Sequence, residues 1–251
     1  MKQLILHIPH ASTQIPDRRG FLLSGEALQE EIIKLTDWYT DELFANNQDE
    51  AVIAPFSRVF CDVERFTDDS LEPMAKYGMG VLYEKTDEGK PMRHVSAALR
   101  FEVVEKYFNE HHRGLTEAVE RQLKQYNSAL LIDCHSFPDT PLLRDIDQDP
   151  QRPDFNLGTD AFHTSPELAN FAEQFFVERG FTVEINRPYA GTLVPLRWYN
   201  NDKRVQSLML EVNRRLYLKP GTNEKCSNFK RVHGVVQEFL NHIRERFRQR
   251  P

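Results

Sequence analysis

The chain alternates short apolar segments with longer segments in which apolar residues recur at helical spacing. This alternation predicts an α/β fold, in which the short segments form a sheet and the longer ones cover it. Segment 128–133 (SALLID) is apolar almost throughout, as expected for a strand that is covered on both faces. We therefore predict a single domain over 1–251, with three layers and a mixed, mostly parallel sheet between helices.

The turn signals and apolar spacing set the predicted bounds of the elements. We predict strands over 3–8, 51–56, 59–63, 128–133, 181–185 and 207–212. We predict helices over 24–44, with Ser24 as the N-cap, and over 94–126, 165–179 and 228–248. Segments 66–93 and 140–162 show little periodicity, and we interpret both as loops, the first with a hairpin near 80–83.

Composition excludes several classes of function. The formal net charge is −6 and no long run of Lys or Arg occurs, which argues against a nucleic-acid partner. Three cysteines are too few for a disulfide framework. No segment approaches the ~20 apolar residues of a membrane-spanning helix, and His7 and Pro9 interrupt the first apolar run. We expect a cytoplasmic protein without a membrane partner, whose oligomeric state is not visible in the sequence.

Three apolar segments end at a histidine or a carboxylate. His10 closes LILHIPH, His135 closes LLIDCH and Glu211 closes SLMLE. Ligands of open α/β sheets bind at the carboxyl ends of strands, and two imidazoles with a carboxylate are typical of catalytic zinc sites. We expect a metal site there. Glu211 is either the general base for a metal-activated water or a buried ion-pair partner of Arg214 or Arg58.

Eight motifs occur in an order that resembles the N-formylglutamate amidohydrolase family. They are HIPHAS, LTDWYTDELF, FSRVFCDVERF, EPMAKYGMGVLY, LLIDCHSFP, PDFNLGTD, NRPYAGTLVP and LMLEVNRRLYL, and they span 4–218. That family looks like a distant relative of the zinc carboxypeptidases. The resemblance implies a carboxypeptidase-like fold and a hydrolase that converts N-formyl-L-glutamate, or a close N-acyl acidic amino acid, to the free amino acid and formate.

The resemblance also implies the metal ligands. His10 and His135 resemble the two histidine ligands of Zn²⁺, although such ligands also suit Co²⁺, Ni²⁺ and Fe²⁺. The acidic ligand stays open. Carboxypeptidases place a Glu three residues after the first histidine, where this chain has Thr13. The motif TDWYTDEL suggests Asp37, with Asp41 as the alternative, yet an ideal helix would point Asp37 away from its apolar stripe.

Arginines near these motifs suggest an acidic substrate, because Arg binds carboxylates through two parallel hydrogen bonds. Arg58 and Arg65 flank CDVE, and Arg65 resembles the carboxypeptidase arginine that grips a terminal carboxylate. Both arginines would otherwise hold loops through nearby acidic residues. The further residues that we assign to substrate binding are Arg214, Asn213, Gly191 in the YAGT turn, and His112 in the long helix.

Two other hypotheses remain open at this stage. One is a hydrolase with the same metal and another substrate, such as a different N-acyl amino acid or a short peptide. We assign the pocket for its acyl group to the loops at 66–93 and 140–162. The other is a non-catalytic ligand-binding protein, if Asp37 is displaced. A Cys134–His135 hydrolase is disfavoured, since neighbours on a strand point to opposite faces.

Overall fold

The computed structural model describes residues 3–248, which contain one six-stranded sheet. The strands are β1 Ile5–Ile8, β2 Glu50–Ile53, β3 Ala129–Phe137, β4 Phe155–Gly158, β5 Val183–Ile185 and β6 Val205–Asn213. Their order across the sheet is β2-β1-β3-β6-β4-β5. Only the β4–β6 pair is antiparallel. The predicted α/β fold with a mixed, mostly parallel sheet is confirmed.

Six α-helices accompany the sheet in the described part of the chain. They are α1 Gly25–Leu35, α2 Thr40–Phe44, α3 Ala97–Val103, α4 Asn109–Tyr126, α5 Pro166–Val177 and α6 Phe229–Arg248. A π-helical turn, Val104–Phe108, joins α3 to α4, and 3₁₀ turns occupy Ala75–Tyr77 and Arg214–Leu216. No helix among the described residues combines the length and apolar character that crossing a membrane requires.

Alternate residues of the central strands point to opposite faces of the sheet. Leu130, Ile132 and Cys134 of β3 pack with α2, α5 and α6 in one apolar core. Leu131, between them, packs with Leu115 of α4 in another core on the other face. Helices therefore cover both faces, which gives the three layers that the continuous apolar strand predicts.

The same alternation places polar residues together on the face that α4 covers. His7 of β1 pairs in register with Asp133 of β3, and His135 of β3 pairs with Glu211 of β6. These positions share the parity of Leu131, so their side chains emerge on the α4 side of the sheet. Strands β3 and β6 are longer than predicted. His135, which was expected just beyond its strand, therefore lies inside β3, and Glu211 lies inside β6 as the predicted strand 207–212 implies.

The predicted helix over 24–44 breaks after Leu35, which corrects that prediction. Ser24 caps α1 as expected, since its Oγ accepts a hydrogen bond from the Ala27 amide. At the other end, the Thr36 hydroxyl donates to the Ile32 carbonyl and the backbone at Thr36 is extended. The Asp37 amide then donates to the His10 carbonyl at 3.0 Å. Asp37 thus lies in a break between two helices, where helical geometry does not set its direction.

Two further predictions about local structure are wrong. Segment 59–63 forms turns instead of a strand, because the Phe60 and Cys61 amides both donate to the Ser57 carbonyl. Segment 140–162 is not all loop, because it contains β4, which pairs with both β6 and β5. β4 is only four residues long and ends in glycine, so the periodicity of the sequence gives it little signal.

We expect a buried ion pair to stabilise the attachment of α6. The Arg244 Nε atom donates to Asp49 Oδ1 at 2.8 Å, and Asp49 also accepts from the Leu4 amide of the chain leading into β1. Removing one partner of a buried pair leaves an uncompensated charge and typically costs about 3–5 kcal/mol. Asp49→Ala should lower the free energy of unfolding by that amount, measured by urea titration. Glu224→Ala, which breaks the exposed pair with Lys219, should leave the free energy of unfolding nearly unchanged, because solvent screens that pair. Equal effects of the two substitutions would contradict this account of α6.

Candidate metal centre

His10, Asp37 and His135 converge into one buried group. Asp37 Oδ2 lies 3.0 Å from His135 Nδ1 and 3.6 Å from His10 Nδ1. The two imidazole rings are 5.1 Å apart between centroids. One ligand atom from each residue lies within 4.8 Å of the others, so the three side chains are suitably placed to hold a metal ion. The structure thus brings together the residues that the sequence suggested as ligands, with Asp37 rather than Asp41 as the acid.

The hydrogen bonds of the imidazoles define which nitrogen atoms face the centre. His10 Nε2 is 2.9 Å from Asp62 Oδ1, and His135 Nε2 is 3.1 Å from Glu64 Oε1. An ionised carboxylate can only accept, so His10 Nε2 carries a hydrogen, whereas both ring nitrogens of His135 lie beside carboxylates. His10 Nδ1 is buried and has no hydrogen-bond partner among the described residues. A buried lone pair without a partner beside Asp37 fits a metal ligand, and a metal-binding histidine usually donates its other ring N–H to a carboxylate, as His10 does to Asp62.

A second group of potential ligands, His7, Glu64 and Asp133, adjoins the first. In this group both nitrogens of His7 are engaged, because Nδ1 lies 2.7 Å from Asp133 Oδ1 and Nε2 lies 2.9 Å from His111 Nε2. Burial lowers the pKa of His111 to about 2, which keeps that ring neutral. His7 therefore has no unpaired ring nitrogen left to bind a metal ion.

Asp62 connects the candidate metal centre to the surrounding loops. Its Oδ1 accepts from His10 Nε2, while its Oδ2 accepts from the Tyr83 hydroxyl at 2.6 Å and from Arg58 Nη2 at 3.0 Å. Burial raises the pKa of the Asp62 carboxyl, but Arg58, His10 and Arg65 outweigh it and hold that pKa well below its usual range. Asp62 stays ionised and fixes the orientation of His10.

Glu211 faces the same centre from β6. It is buried, and its Oε2 atom has no hydrogen-bond partner among the described residues. Burial raises the pKa of Glu211 to about 8, and the neighbouring Asp37 and Glu64 carboxylates add to the effect. Within the described chain Glu211 forms no ion pair with Arg214 or Arg58, so the ion-pair interpretation from the sequence is wrong.

The three arginines are all engaged with acidic groups. Arg214 donates to Asp37 Oδ1 and to the Ser136 carbonyl, both at 2.9 Å, and so orients the acidic ligand. Arg58 binds Asp62 through its Nη2. Its Nη1 lies toward the centre, 4.0 Å from Asp37 Oδ1, which is too far for a hydrogen bond. Arg65 Nε lies 3.6 Å from Asp62 Oδ2 and 4.0 Å from Glu72 Oε1. Among the described residues, Arg58 Nη1 and the buried Arg65 Nε have no hydrogen bond, and of these two atoms Arg58 Nη1 is the one that lies near Asp37.

The remaining residues predicted for substrate binding lie in different surroundings. Asn213 is fully buried, and its amide donates to the Pro153 carbonyl at 2.9 Å and accepts from the Arg215 amide at 3.1 Å. Those bonds commit it to capping the turn after β6. His112 and Gly191 both line a cavity beside the centre. His112 Nε2 lies 2.7 Å from the Val63 carbonyl, and Gly191 has φ +90°, which favours glycine.

This cavity, of about 640 Å³, lies on the α4 side of the sheet. Its walls come from 63–71, from 108–116 and from 190–199, with Asp133 and Met209 at its base. Segment 140–162, which the sequence suggested as a wall of the acyl pocket, does not line it, and segment 66–93 contributes only its first residues. We call this space the lateral cavity.

Sequence reasoning missed Asp62, Glu64 and Asp133 as partners of the histidines. Asp133 had a signal, because it lies two residues before His135 in an apolar strand and must share its face. Asp62 and Glu64 lie in turns, where no periodicity predicts the direction of a side chain. Their positions depend on hydrogen bonds both near and distant in sequence, such as those from the Glu64 amide to Asp62 Oδ1 at 3.1 Å and from the Asp62 amide to the Val81 carbonyl at 2.8 Å.

Comparison with known proteins gives consistent matches over most of the chain. The family model described as N-formylglutamate amidohydrolase matches residues 2–218. An N-formylglutamate deformylase from Pseudomonas putida is 27% identical over 228 residues, which cover 86% of this chain and 81% of that protein. The crystal structure of N-formylglutamate amidohydrolase from Ralstonia eutropha JMP134 matches with a TM-score of 0.84 and 26% identity, covering 98% of this chain and 94% of that one. The gene product Atu2144 from Agrobacterium tumefaciens shares the fold, with a TM-score of 0.68 and 18% identity over 96% of this chain and 91% of that one.

Asp62→Asn should weaken metal binding. The substitution removes the charge that holds the hydrogen on His10 Nε2, and loss of such a partner typically costs about 10–100-fold in metal affinity. Competition with a chromophoric chelator for Zn²⁺ measures the change. Asp202→Asn, which alters an exposed pair with Arg204, is the matched control and should bind as the wild type does. An unchanged affinity in folded Asp62→Asn protein would refute the role of Asp62.

The stability of the metal-free protein should depend on pH through Glu211. Folding raises the pKa of this carboxyl from 4.5 to about 8, so the folded state binds a proton that the unfolded state releases. The contribution is fully present below about pH 4.5 and is lost as the pH rises through about 8. Relative to Glu211→Gln, the wild type should lose stability by up to a few kcal/mol over that range, because one pKa unit corresponds to about 1.4 kcal/mol. Parallel curves of unfolding free energy against pH would contradict this.

Proposed function

Because the chain belongs to the N-formylglutamate amidohydrolase family, we propose that it hydrolyses the amide bond of an N-acyl amino acid, with N-formyl-L-glutamate as the first candidate. The relatives named N-formylglutamate deformylase and N-formylglutamate amidohydrolase support this substrate. The observation that carries the proposal is the buried His10 Nδ1 without a hydrogen-bond partner beside Asp37, while Glu211 lies close enough to Asp37 and His135 for their charges to affect its pKa. The products would be the free amino acid and formate.

His10, Asp37 and His135 would hold a divalent cation, for which Zn²⁺ is our first choice. Two imidazole nitrogens and one carboxylate oxygen suit Zn²⁺, and the alternatives are Co²⁺, Ni²⁺ and Fe²⁺. Burial lowers the pKa of His135, but Glu64 and Asp133 outweigh it and shift that pKa well above its usual value, so the surroundings favour positive charge. When bound, the cation supplies Lewis acidity that polarises the amide carbonyl and makes water more acidic.

Glu211 would act as the general base and then as the general acid. In the proposed reaction its Oε2 accepts a proton from the attacking water while the new carbon–oxygen bond forms. The same proton then passes to the amide nitrogen as the carbon–nitrogen bond breaks, so that the amine leaves neutral. The absence of a hydrogen-bond partner for Oε2 among the described residues leaves a lone pair for this transfer, and proton transfer by a positioned group contributes about 10²–10⁴-fold to a rate.

The carboxylates of the substrate require cations near the metal centre. Arg58 is our first candidate, because its Nη1 lies toward Asp37 without a hydrogen bond of its own. Arg214 would act mainly through Asp37, which it orients, and Arg65 through Asp62. His112 and Gly191 would contact the substrate from the lateral cavity. The side-chain amide of Asn213 is buried and bonded within the cap of the turn after β6, which argues against its assignment to substrate binding.

These observations affect the two alternative hypotheses from the sequence in different ways. A related substrate, another N-acyl amino acid, remains compatible with the same centre. The non-catalytic alternative depended on a displaced Asp37, whereas Asp37 lies between the two histidines. The cytoplasmic location and the absence of nucleic-acid and membrane partners stay predictions from the sequence.

Glu211→Gln should abolish most hydrolysis without removing the metal. Amine release from N-formyl-L-glutamate is measured after chelation and reloading of Zn²⁺, with metal content determined by elemental analysis. We expect activity to fall about 10²–10⁴-fold at unchanged metal stoichiometry. Glu224→Gln, a substitution of an exposed glutamate, is the control.

Three results of the same experiment would contradict parts of the proposal. Full activity of Glu211→Gln would remove the general base. A fully metal-loaded wild type that leaves N-formyl-L-glutamate intact would remove the substrate. A metal stoichiometry near zero after reloading would favour the non-catalytic hypothesis.

A further inference from the structure

The lateral cavity extends away from the candidate metal centre and is much larger than a formyl group. It shares Glu64 and Asp133 with the centre, whose carboxylates lie 3.1 and 3.2 Å from His135 Nε2. Its volume of about 640 Å³ falls within the range of roughly 300–1,000 Å³ that is typical of sites for drug-sized ligands. A formyl group has only two non-hydrogen atoms besides the scissile nitrogen, so it leaves such a space empty.

The mouth of the lateral cavity exposes apolar side chains. Phe66 is 44% exposed, Leu71 62%, Leu196 74% and Tyr199 41%. Exposed apolar groups that rim a cavity mark binding sites more often than chance, since covering them removes apolar area from water. Deeper apolar walls come from Val63, Phe108, Leu193, Val194 and Met209. The surface is therefore suited to an apolar occupant.

Acidic residues outnumber basic ones in the lateral cavity. Of its two arginines, Arg197 pairs with Glu120, and Arg65 Nε, which has no hydrogen bond, lies 3.6 Å from the ionised Asp62 carboxylate. Burial lowers the pKa of His112 to about 4, which leaves that ring neutral at pH 7. Glu64 and Asp133, together with Asp68, add three carboxylates to the wall. The two arginines whose donors lie toward Asp37 of the metal centre, Arg58 and Arg214, are not among the residues that line the cavity.

These observations assign the two ends of the substrate to different places. The carboxylates of the amino acid would lie toward Arg58, and the acyl group, which carries no charge, would extend into the lateral cavity. We propose that the lateral cavity is a binding site for an apolar acyl chain of several carbons, so that the substrate class includes N-acyl amino acids longer than N-formyl compounds. This inference rests on the proposed amide hydrolysis, whose first candidate substrate it extends.

A series of acyl chains tests the proposal. The values of kcat/KM for N-formyl-, N-butanoyl-, N-hexanoyl- and N-octanoyl-L-glutamate are measured with the Zn²⁺-loaded protein. From butanoyl onward we expect an increase of up to about fourfold for each added methylene, mainly through KM, which corresponds to about 0.8 kcal/mol per buried methylene. Values of kcat/KM that are flat or that fall with chain length would overturn the proposal.

Substitutions at the mouth test whether the preference for longer acyl chains depends on the lateral cavity. Leu196→Asp and Leu71→Asp place a charge where the chain would lie, and both residues are exposed, so the fold should tolerate the changes. We expect each to lower the hexanoyl-to-formyl ratio of kcat/KM by at least tenfold. Leu143→Asp is the matched control, because Leu143 is 70% exposed but does not line the cavity. Equal ratios in Leu196→Asp and Leu143→Asp would overturn the proposal.

A binding measurement distinguishes failure of this inference from failure of the proposed function. If no compound is hydrolysed, the proposed function fails, and calorimetric titration with N-hexanoyl-L-glutamate still tests the cavity. We expect tighter binding of the hexanoyl than of the formyl compound, and loss of that difference in Leu196→Asp. Equal affinity for the two compounds would overturn the cavity assignment by itself.

Discussion

The hydrogen bond from His10 Nε2 to Asp62 is the interaction on which the candidate centre depends. It fixes the hydrogen on Nε2, so that the lone pair of Nδ1 faces Asp37. Asp62 can do this because Arg58 and Tyr83 bind its other oxygen and keep the carboxyl ionised in a fully buried position. A buried carboxylate is costly by itself, so this network of polar side chains has to be complete before the centre can form.

A sheet and a broken helix bring the other groups to the same point. Strand pairing aligns His135 with Glu211, and strand alternation turns both toward α4. Asp37 arrives from the break between α1 and α2, where its amide is tied to the His10 carbonyl and its carboxylate to Arg214. In a continuous helix over 24–44, the side chain of Asp37 would point away from the apolar face. The end of helix α1 at Leu35 therefore determines where Asp37 lies relative to the histidines.

The fold was predictable where periodicity is strong, and the centre was predictable only in part. The apolar run before His135 indicated a strand covered on both faces, and His10, His135 and Glu211 followed from their places at strand ends. Asp37 was ambiguous because helical spacing gave the wrong direction. Asp62 and Glu64 lie in turns whose form depends on contacts distant in sequence, and the walls of the lateral cavity come largely from the equally irregular segment 190–199. Pattern reasoning finds strands and their ends, but it does not give the geometry of the loops between them.

The most direct test of the account is an anomalous-diffraction map of crystals loaded with Zn²⁺. We expect one strong peak bound by the Nδ1 atoms of His10 and His135 and by an oxygen of Asp37, each at about 2.0–2.2 Å, with Glu211 facing it without binding. The hydrogen bond from His10 Nε2 to Asp62 should be retained in the Zn²⁺-loaded protein. A peak bound through the Nε2 atoms, or one held instead by His7, Glu64 and Asp133, would contradict the central claim.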